Sequence, residues 1–159
     1  AKGFPLWPGL VDGGKLIVPM RSFEHYRERI YSVQMIEAGG DKKFLPGGRA
    51  KGAVYRMGAG FDVWLVEGYA TALSVQAALE SLYRKAEVWV CFSAGNLAFI
   101  ASQVPCRIFA DNDRSGTGQT VAAQSGRAWV MSPVEGEDAN DMHRRVGVRA
   151  VAELMRSAM

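Results

Sequence analysis

The sequence predicts an α/β domain, a mainly parallel four-stranded sheet flanked by helices, preceded by a small β-rich N-terminal subdomain. Three observations predict it. From residue 61 onward, short apolar runs alternate with stretches of helical periodicity, the pattern of a parallel sheet whose strands are joined by helices. The first sixty residues instead hold strand-like runs separated by Gly-rich turns. Charge divides at the same point: residues 1–60 carry ten Lys/Arg and five Asp/Glu, a balance of +5, whereas residues 61–159 carry nine and eleven, a balance of −2. Two parts are therefore expected, 1–60 and 61–159. A basic part followed by an acidic one suits a protein that holds a polyanion and a metal, and equally suits two solvated surfaces of uneven charge.

In the first part, "KLIVPM" (15–20) and "RIYSVQMI" (29–36) read as strands, with Pro19 placing the first at an edge or near its end. "EAGGDKKFL" (37–45) predicts a tight turn through Gly39, Gly40 and Asp41 into a short strand. A basic Gly-rich loop, "PGGRAKG", and the strand "AVYRMG" follow. In the second part, "DVWLVE" (62–67) is a strand. Residues 69–85 place Ala72, Leu73, Val75, Ala78, Leu79 and Leu82 at helical spacing. "EVWVCF" (87–92), "CRIFAD" (106–111) and "RAWVMS" (127–132) are the remaining strands. Helices are expected over 94–104, over roughly 117–126, and as a single final helix from "DANDM" to the end of the sequence.

With 48% apolar and 22% charged residues, the chain can bury a core. Its longest apolar runs, such as Val88–Phe92, are too short to span a bilayer, and no secretory segment is visible after Lys2. The expected setting is the cytoplasm, with no membrane partner. Cys91 and Cys106 lie fifteen positions apart without a CxxC pair, which excludes a structural zinc site and suits buried thiols in a reducing compartment.

Acidic residues recur at equivalent places. Glu67 ends the first parallel strand and precedes Gly68; Asp111 and Asp113 follow the third; Asp138 and Asp141 follow the fourth. In sheets of this kind, ligands sit beyond the carboxyl ends of the strands. Carboxylates converging there repel unless a divalent cation neutralises them, and oxygen donors suit Mg²⁺ or Mn²⁺. Each piece alone has a plainer reading: Glu-Gly as a turn, Asp-x-Asp as a turn or capping device, "DAND" as a helix N-terminus. Their joint occurrence, each at a strand end, points to a metal.

"WLVEGYATALS", "IFADNDRSGTG" and "EGEDANDMH" together resemble the Toprim domain, a Rossmann-like fold shared by bacterial primases, type IA and type II topoisomerases and some nucleases. The resemblance covers roughly residues 61–150. "EGYAT" and "SAGNL" are most similar to primases of conjugative plasmids and phages. It implies Glu67, Asp111 and Asp113 as catalytic and metal residues, with Asp138 as a further metal residue and Mg²⁺ or Mn²⁺ as the cofactor. Glu67 is either a ligand or a proton-transfer group. Two positions depart from the pattern of replicative primases. Thr71 stands four residues after the glutamate where Asp is frequent, and Asn140 stands where a carboxylate is frequent.

Residues 15–58 resemble the subdomain that precedes Toprim in bacterial primases. "KKFLPGG" and "AKGAVYRMG" look like its lysine segments, with Lys43 and Lys51 at the matching lysines and Pro46 replacing an Asn. The resemblance implies that Lys43, Arg49 and Lys51 hold template or nucleotide phosphates; the plainer reading is a β-hairpin whose lysines protect an edge. Arg114 is either a phosphate contact or a solvated loop arginine. Gly116 and Gly118 free the backbone before the next helix, whose N-terminus is then available to phosphate.

The resemblance therefore implies a DNA primase core, a nucleotidyltransferase making short RNA primers on a single-stranded DNA template from NTPs. Its partners would include a replicative helicase or other domains of a larger parent protein. A metal-dependent nuclease and a non-catalytic nucleic-acid or replication-partner module are the alternatives. The basic leader separates primase from small Toprim nucleases, and a type IA topoisomerase would need a nucleophilic tyrosine in a large additional region. Trp64 and Trp89 read as core, His25 and His143 as surface, Tyr69 as packing beneath the site, and Trp7 as an anchor or a contact to another domain.

Overall fold

The computed structural model describes residues 10–159; Trp7 lies outside the described residues. The chain divides into two compact units, the first ending at Tyr55 and the second running Arg56–Met159.

The first unit is antiparallel. Its strands are β1 (Leu10–Asp12), β2 (Lys15–Ser22), β3 (Ile30–Ile36) and β4 (Lys42–Phe44). β2 pairs with β3 from Leu16↔Ile36 to Arg21↔Ile30, with an irregularity at Met20/Arg21. β1 pairs with β2 only up to Ile17, so Pro19, which has no N–H, falls beyond the stretch that β1 covers. β4 pairs with β3 through the expected turn, in which Gly40 takes a φ of +96° and Glu37 N–H donates to the Asp41 carbonyl. Val18, Met20, Ser32 and Gln34 point to the buried side of this small sheet. The "PGG" loop has its own reason: a Cβ on Gly48 would fall 2.1 Å from Ser32 Oγ.

β5 (Ala53–Gly58) ends in the second unit. There Arg56 stacks on Trp89 with 3.9 Å from its guanidinium carbon to the ring centroid, and it pairs with Glu87. Gly58 and Gly60 leave no room for side chains. A Cβ on Gly58 would meet the Ala86 carbonyl at 2.5 Å, and one on Gly60 the Lys85 carbonyl at 2.3 Å.

The second unit alternates β6 (Asp62–Val66), α1 (Tyr69–Ser81), β7 (Ala86–Val90), α2 (Ala94–Gln103), β8 (Arg107–Ala110), α3 (Thr117–Gln124), β9 (Ala128–Met131), α4 (Ala139–Val146) and α5 (Val148–Arg156). β6 pairs in parallel with β7 and β8, and β8 with β9, giving the order β7-β6-β8-β9. The sheet is larger than the expected four strands, because β5 continues it beyond β7. Trp64, Leu65, Val66, Val88, Val90, Ile108 and Phe109 are buried along the strands, consistent with a parallel sheet covered on both faces. The chain steps one way from β6 to β7 and the other way from β7 to β8. Right-handed crossovers therefore put α1 and α2 on opposite faces. In agreement, α1 packs with α4 and α5, and α2 with α3.

Two expectations need correction. The helix beginning at Tyr69 stops at Ser81 rather than 85: Leu82 and Arg84 N–H groups turn back onto Leu79, and Tyr83 takes a φ of +54°. The single final helix is two, broken at Gly147, whose φ of +85° and ψ of 162° end α4 and start α5.

Candidate metal centre

The change of direction in strand order falls between β6 and β8, and the crevice at the carboxyl ends of such a pair is where open α/β sheets bind ligands. The register there pairs Trp64 with Arg107 and Leu65 with Ile108. Glu67 follows β6 two residues beyond Leu65, and Asp111 follows β8 three residues beyond Ile108. Neighbouring strands run about 4.8 Å apart, so the backbone at Glu67 and the backbone at Asp111 leave adjacent strands at the same edge of the sheet. Both residues are half-buried. The backbone at Glu67 is fixed by its carbonyl, which accepts from Phe92 N–H at 2.9 Å, while Cys91 N–H donates to Val66. Phe92 holds that position at a φ of +69°, unusual for a residue with a Cβ. Just beyond it, Asn96 Nδ2 donates to the Cys91 carbonyl at 2.7 Å, and Ser93 caps α2.

The loop after β8 explains why two carboxylates stand two residues apart. The intervening Asn112 donates from Nδ2 to the Ser132 carbonyl at 2.9 Å, and its backbone bonds to Gly136 and Glu137. Asn112 thus ties the loop to the segment after β9. Asp113 Oδ1 accepts from Ser115 Oγ at 2.6 Å. That bond, helped by the backbone N–H groups of Thr117, Ser115 and Gly116, holds the Asp113 carboxyl below its ordinary pKa against the opposing effect of burial. The glycines are explained separately. Gly116 caps α3 in the left-handed region, φ +68°. Gly118 lets α3 lie against the backbone of Asp111, where a Cβ would fall 2.4 Å from the carbonyl oxygen.

Asp138 caps α4, its Oδ1 accepting from Asp141 N–H at 2.8 Å. Its other oxygen, Oδ2, accepts from Thr71 Oγ1 at 3.2 Å. Thr71 lies in the first turn of α1, so this bond links α1 to α4. The rest of that seam is polar too: Asn140 donates to Ser74 Oγ at 3.4 Å, and Ser74 Oγ lies 3.1 Å from His143 Nδ1. Thr71, Ser74 and Asn140 are buried. Next door, Glu137 accepts from Arg145 through both carboxylate oxygens and from Ser132 Oγ at 2.6 Å. These bonds, led by Arg145, hold the Glu137 pKa at about 2.

The basic residues expected to hold phosphate are all exposed. In the first unit, Lys43 on β4 pairs with Glu37 at 3.2 Å, alongside Lys15. Arg49 stacks on Tyr31 with 4.6 Å to the ring centroid and donates to the Lys51 carbonyl. Lys51 lies in the turn before β5. Arg114, in the second unit, is 89% exposed, and its nearest anion is Glu135 at 3.6 Å.

Among the described residues, no three His, Cys, Asp or Glu side chains stand grouped for a metal ion. The donor chemistry of the edge nevertheless fits Mg²⁺ or Mn²⁺. Magnesium takes one or two protein carboxylates and leaves its other positions to water and phosphate. Glu67 and Asp111 would offer one carboxylate from the end of each of two paired strands, with the Asp113 carboxyl, held below its ordinary pKa, two residues further along the same loop. The nearby thiol is no competitor: burial foremost, with Cys106 and Glu67 adding, pushes the Cys91 pKa well up, so it stays a neutral thiol.

Several supporting residues are silent in the sequence. Asn112, Ser132 and the Thr71–Asp138 bond join segments whose proximity only the fold creates. Ser93 was legible in principle, since a Ser directly after a strand and before a helical run is a favoured N-cap, as was Ser115 as a turn hydroxyl beside Asp113; the bond from the Asn96 side chain to the Cys91 carbonyl was not.

Comparison with known proteins agrees with this architecture. The family described as Toprim domain matches residues 62–149. Among solved structures, the chain is similar to the crystal structure of the primase fragment of the bacteriophage T7 primase-helicase protein. The TM-score is 0.62 at 18% identity, covering 91% of this chain and 63% of that one. The likeness therefore concerns the fold, and the chain spans less than two thirds of that fragment.

Proposed function

The chain belongs to the Toprim domain family, and from that premise we propose that it is the catalytic core of a DNA primase. In this reading it makes short RNA primers on single-stranded DNA by metal-dependent nucleotidyl transfer, during plasmid or phage replication in the cytoplasm. The observation that carries the proposal is the placement of Glu67 and Asp111 just past the carboxyl ends of the paired strands β6 and β8, where the strand order reverses. The fold likeness to a primase fragment supports the choice among Toprim activities.

Asp111 and Asp113 hold the cation, and Glu67 either completes its ligand set or keeps a proton near the primer 3′ hydroxyl. When bound, Mg²⁺ or Mn²⁺ neutralises the triphosphate and the charge that develops as the hydroxyl displaces pyrophosphate from the α-phosphate. The chain's own work is positioning. Asn112 and Gly118 fix the Asp111–Asp113 loop, and the Phe92 N–H fixes Glu67. Lys43, Arg49 and Lys51 attract template or NTP phosphates, and Arg114 offers an exposed guanidinium beside the carboxylates. The T7 structure comes from a primase-helicase protein, which makes a helicase, or other domains of a larger parent protein, the expected partner of this core.

The test is incubation with single-stranded DNA, labelled NTPs and Mg²⁺ or Mn²⁺. The proposal predicts labelled oligonucleotides that vanish in an Asp111→Asn/Asp113→Asn variant. Metal-dependent shortening of the DNA would replace primase by nuclease. DNA binding without either reaction, also in the presence of an added helicase, would leave a non-catalytic binding module.

A further inference from the structure

We propose that Asp138 is a positioning residue that locks α1 to α4, and that the cation is held by Glu67, Asp111 and Asp113 without it. This rests on the metal reading above and narrows it for this chain. Both oxygens of Asp138 are engaged by protein donors, Oδ1 by the Asp141 N–H it caps and Oδ2 by the Thr71 hydroxyl. A cation would have to share each oxygen with a donor already seated there, and turning the carboxylate toward it would strain both the helix cap and the bond to Thr71, a residue only 1% exposed.

The two departures from the replicative-primase pattern meet at this seam. A carboxylate at position 71 would lie against that of Asp138, and the pair would need a cation between them. Thr71 removes the repulsion and supplies a donor. Asn140, fully buried, likewise bonds to Ser74 across the same seam. Hydrogen bonds thus replace charge between α1 and α4. Thr71 lies in the first turn of α1, four residues after Glu67, so the lock holds the start of the helix that follows Glu67.

The lock and ligand roles respond differently to the isosteric amide. Asn caps helices about as well as Asp and keeps a polar atom toward Thr71, whereas it removes the charge a ligand needs. The experiment titrates the purified full chain with Mn²⁺, following free Mn²⁺ by electron paramagnetic resonance, and records thermal melts without metal. It compares the parent, Asp138→Asn, Asp138→Ala and Thr71→Val. The expected result is parental stoichiometry and affinity within about twofold for Asp138→Asn, with a near-parental melting temperature. Asp138→Ala and Thr71→Val should melt several degrees lower. A tenfold loss of affinity, or loss of one bound Mn²⁺, in a normally melting Asp138→Asn would overturn the proposal while leaving the metal reading intact. Failure of the parent to bind Mn²⁺, or undiminished binding in an Asp111→Asn control, would overturn the metal reading itself and this proposal with it.

Discussion

Replacing Gly118 by Ala sets two opposed effects against each other. Gly118 is the second residue of α3, and in a helix Ala is intrinsically better than Gly by about 1 kcal/mol. Its φ lies outside the left-handed region, so the substitution carries no backbone strain. The new Cβ, however, would sit 2.4 Å from the Asp111 carbonyl oxygen and 3.3 Å from that residue's carbonyl carbon and nitrogen. Ordinary contact begins about 1 Å farther away, and backbone at the end of a buried strand cannot give as a flexible side chain can. Relieving the overlap must move the start of α3 or the Asp111 loop, at a cost of about 1–3 kcal/mol. For a chain of this length, that is a fall in melting temperature of roughly 3–9 °C, with the propensity gain offsetting part of it. The same displacement misplaces Asp111 and Asp113, so Mn²⁺ affinity should fall about tenfold. Thermal denaturation followed by circular dichroism, together with a Mn²⁺ titration, reads both effects. A variant at least as stable as the parent, with unchanged affinity, would refute the claim that Gly118 exists to let α3 approach Asp111.

Asn112→Ala should lower the melting temperature and weaken Mn²⁺ binding together, since it frees the loop from Ser132 while leaving both carboxylates in place. Glu137 gives a pH prediction. Its folded pKa of about 2 lies below the ordinary 4.5, so the folded state binds this proton less readily than the unfolded one. Its contribution to stability is complete above about pH 4.5 and is lost as pH falls toward 2. Glu137→Gln should therefore flatten the melting-temperature profile across that window, and an unchanged profile would refute the assignment. Lys43→Ala should barely alter the melting temperature, because its pair with Glu37 is exposed and Lys15 shares that acceptor. If Lys43 meets phosphate, the variant should reduce the salt dependence of single-stranded DNA binding by about one unit of log-log slope.

What was legible in the sequence follows from how local each signal is. The alternation of strands and helices after residue 61 is written in hydrophobic periodicity, and Glu67 and Asp111 stand out because each follows an apolar run directly, with Asp113 two residues beyond. The break at Gly147 was missed because apolar and basic residues continue on both sides of it, and one glycine carries the whole change of direction. The early end of α1 was hidden by Leu82, which keeps the helical spacing although the chain has already turned. The Thr71–Asp138 bond was out of reach for a different reason. It joins residues 67 apart in sequence, and nothing in either neighbourhood names the other. Thr71 was visible only as a departure from a pattern; the fold supplies its partner.

The central claim is that the carboxylates just past the carboxyl ends of β6 and β8 hold a divalent cation. The most direct measurement is Mn²⁺ binding by the intact chain and by its Asp111→Asn variant, with a thermal melt of each to show that both are folded. The account predicts saturable binding in the parent and a loss of about a hundredfold or more in affinity in a variant that melts normally. Equal affinity in the two folded proteins would contradict it.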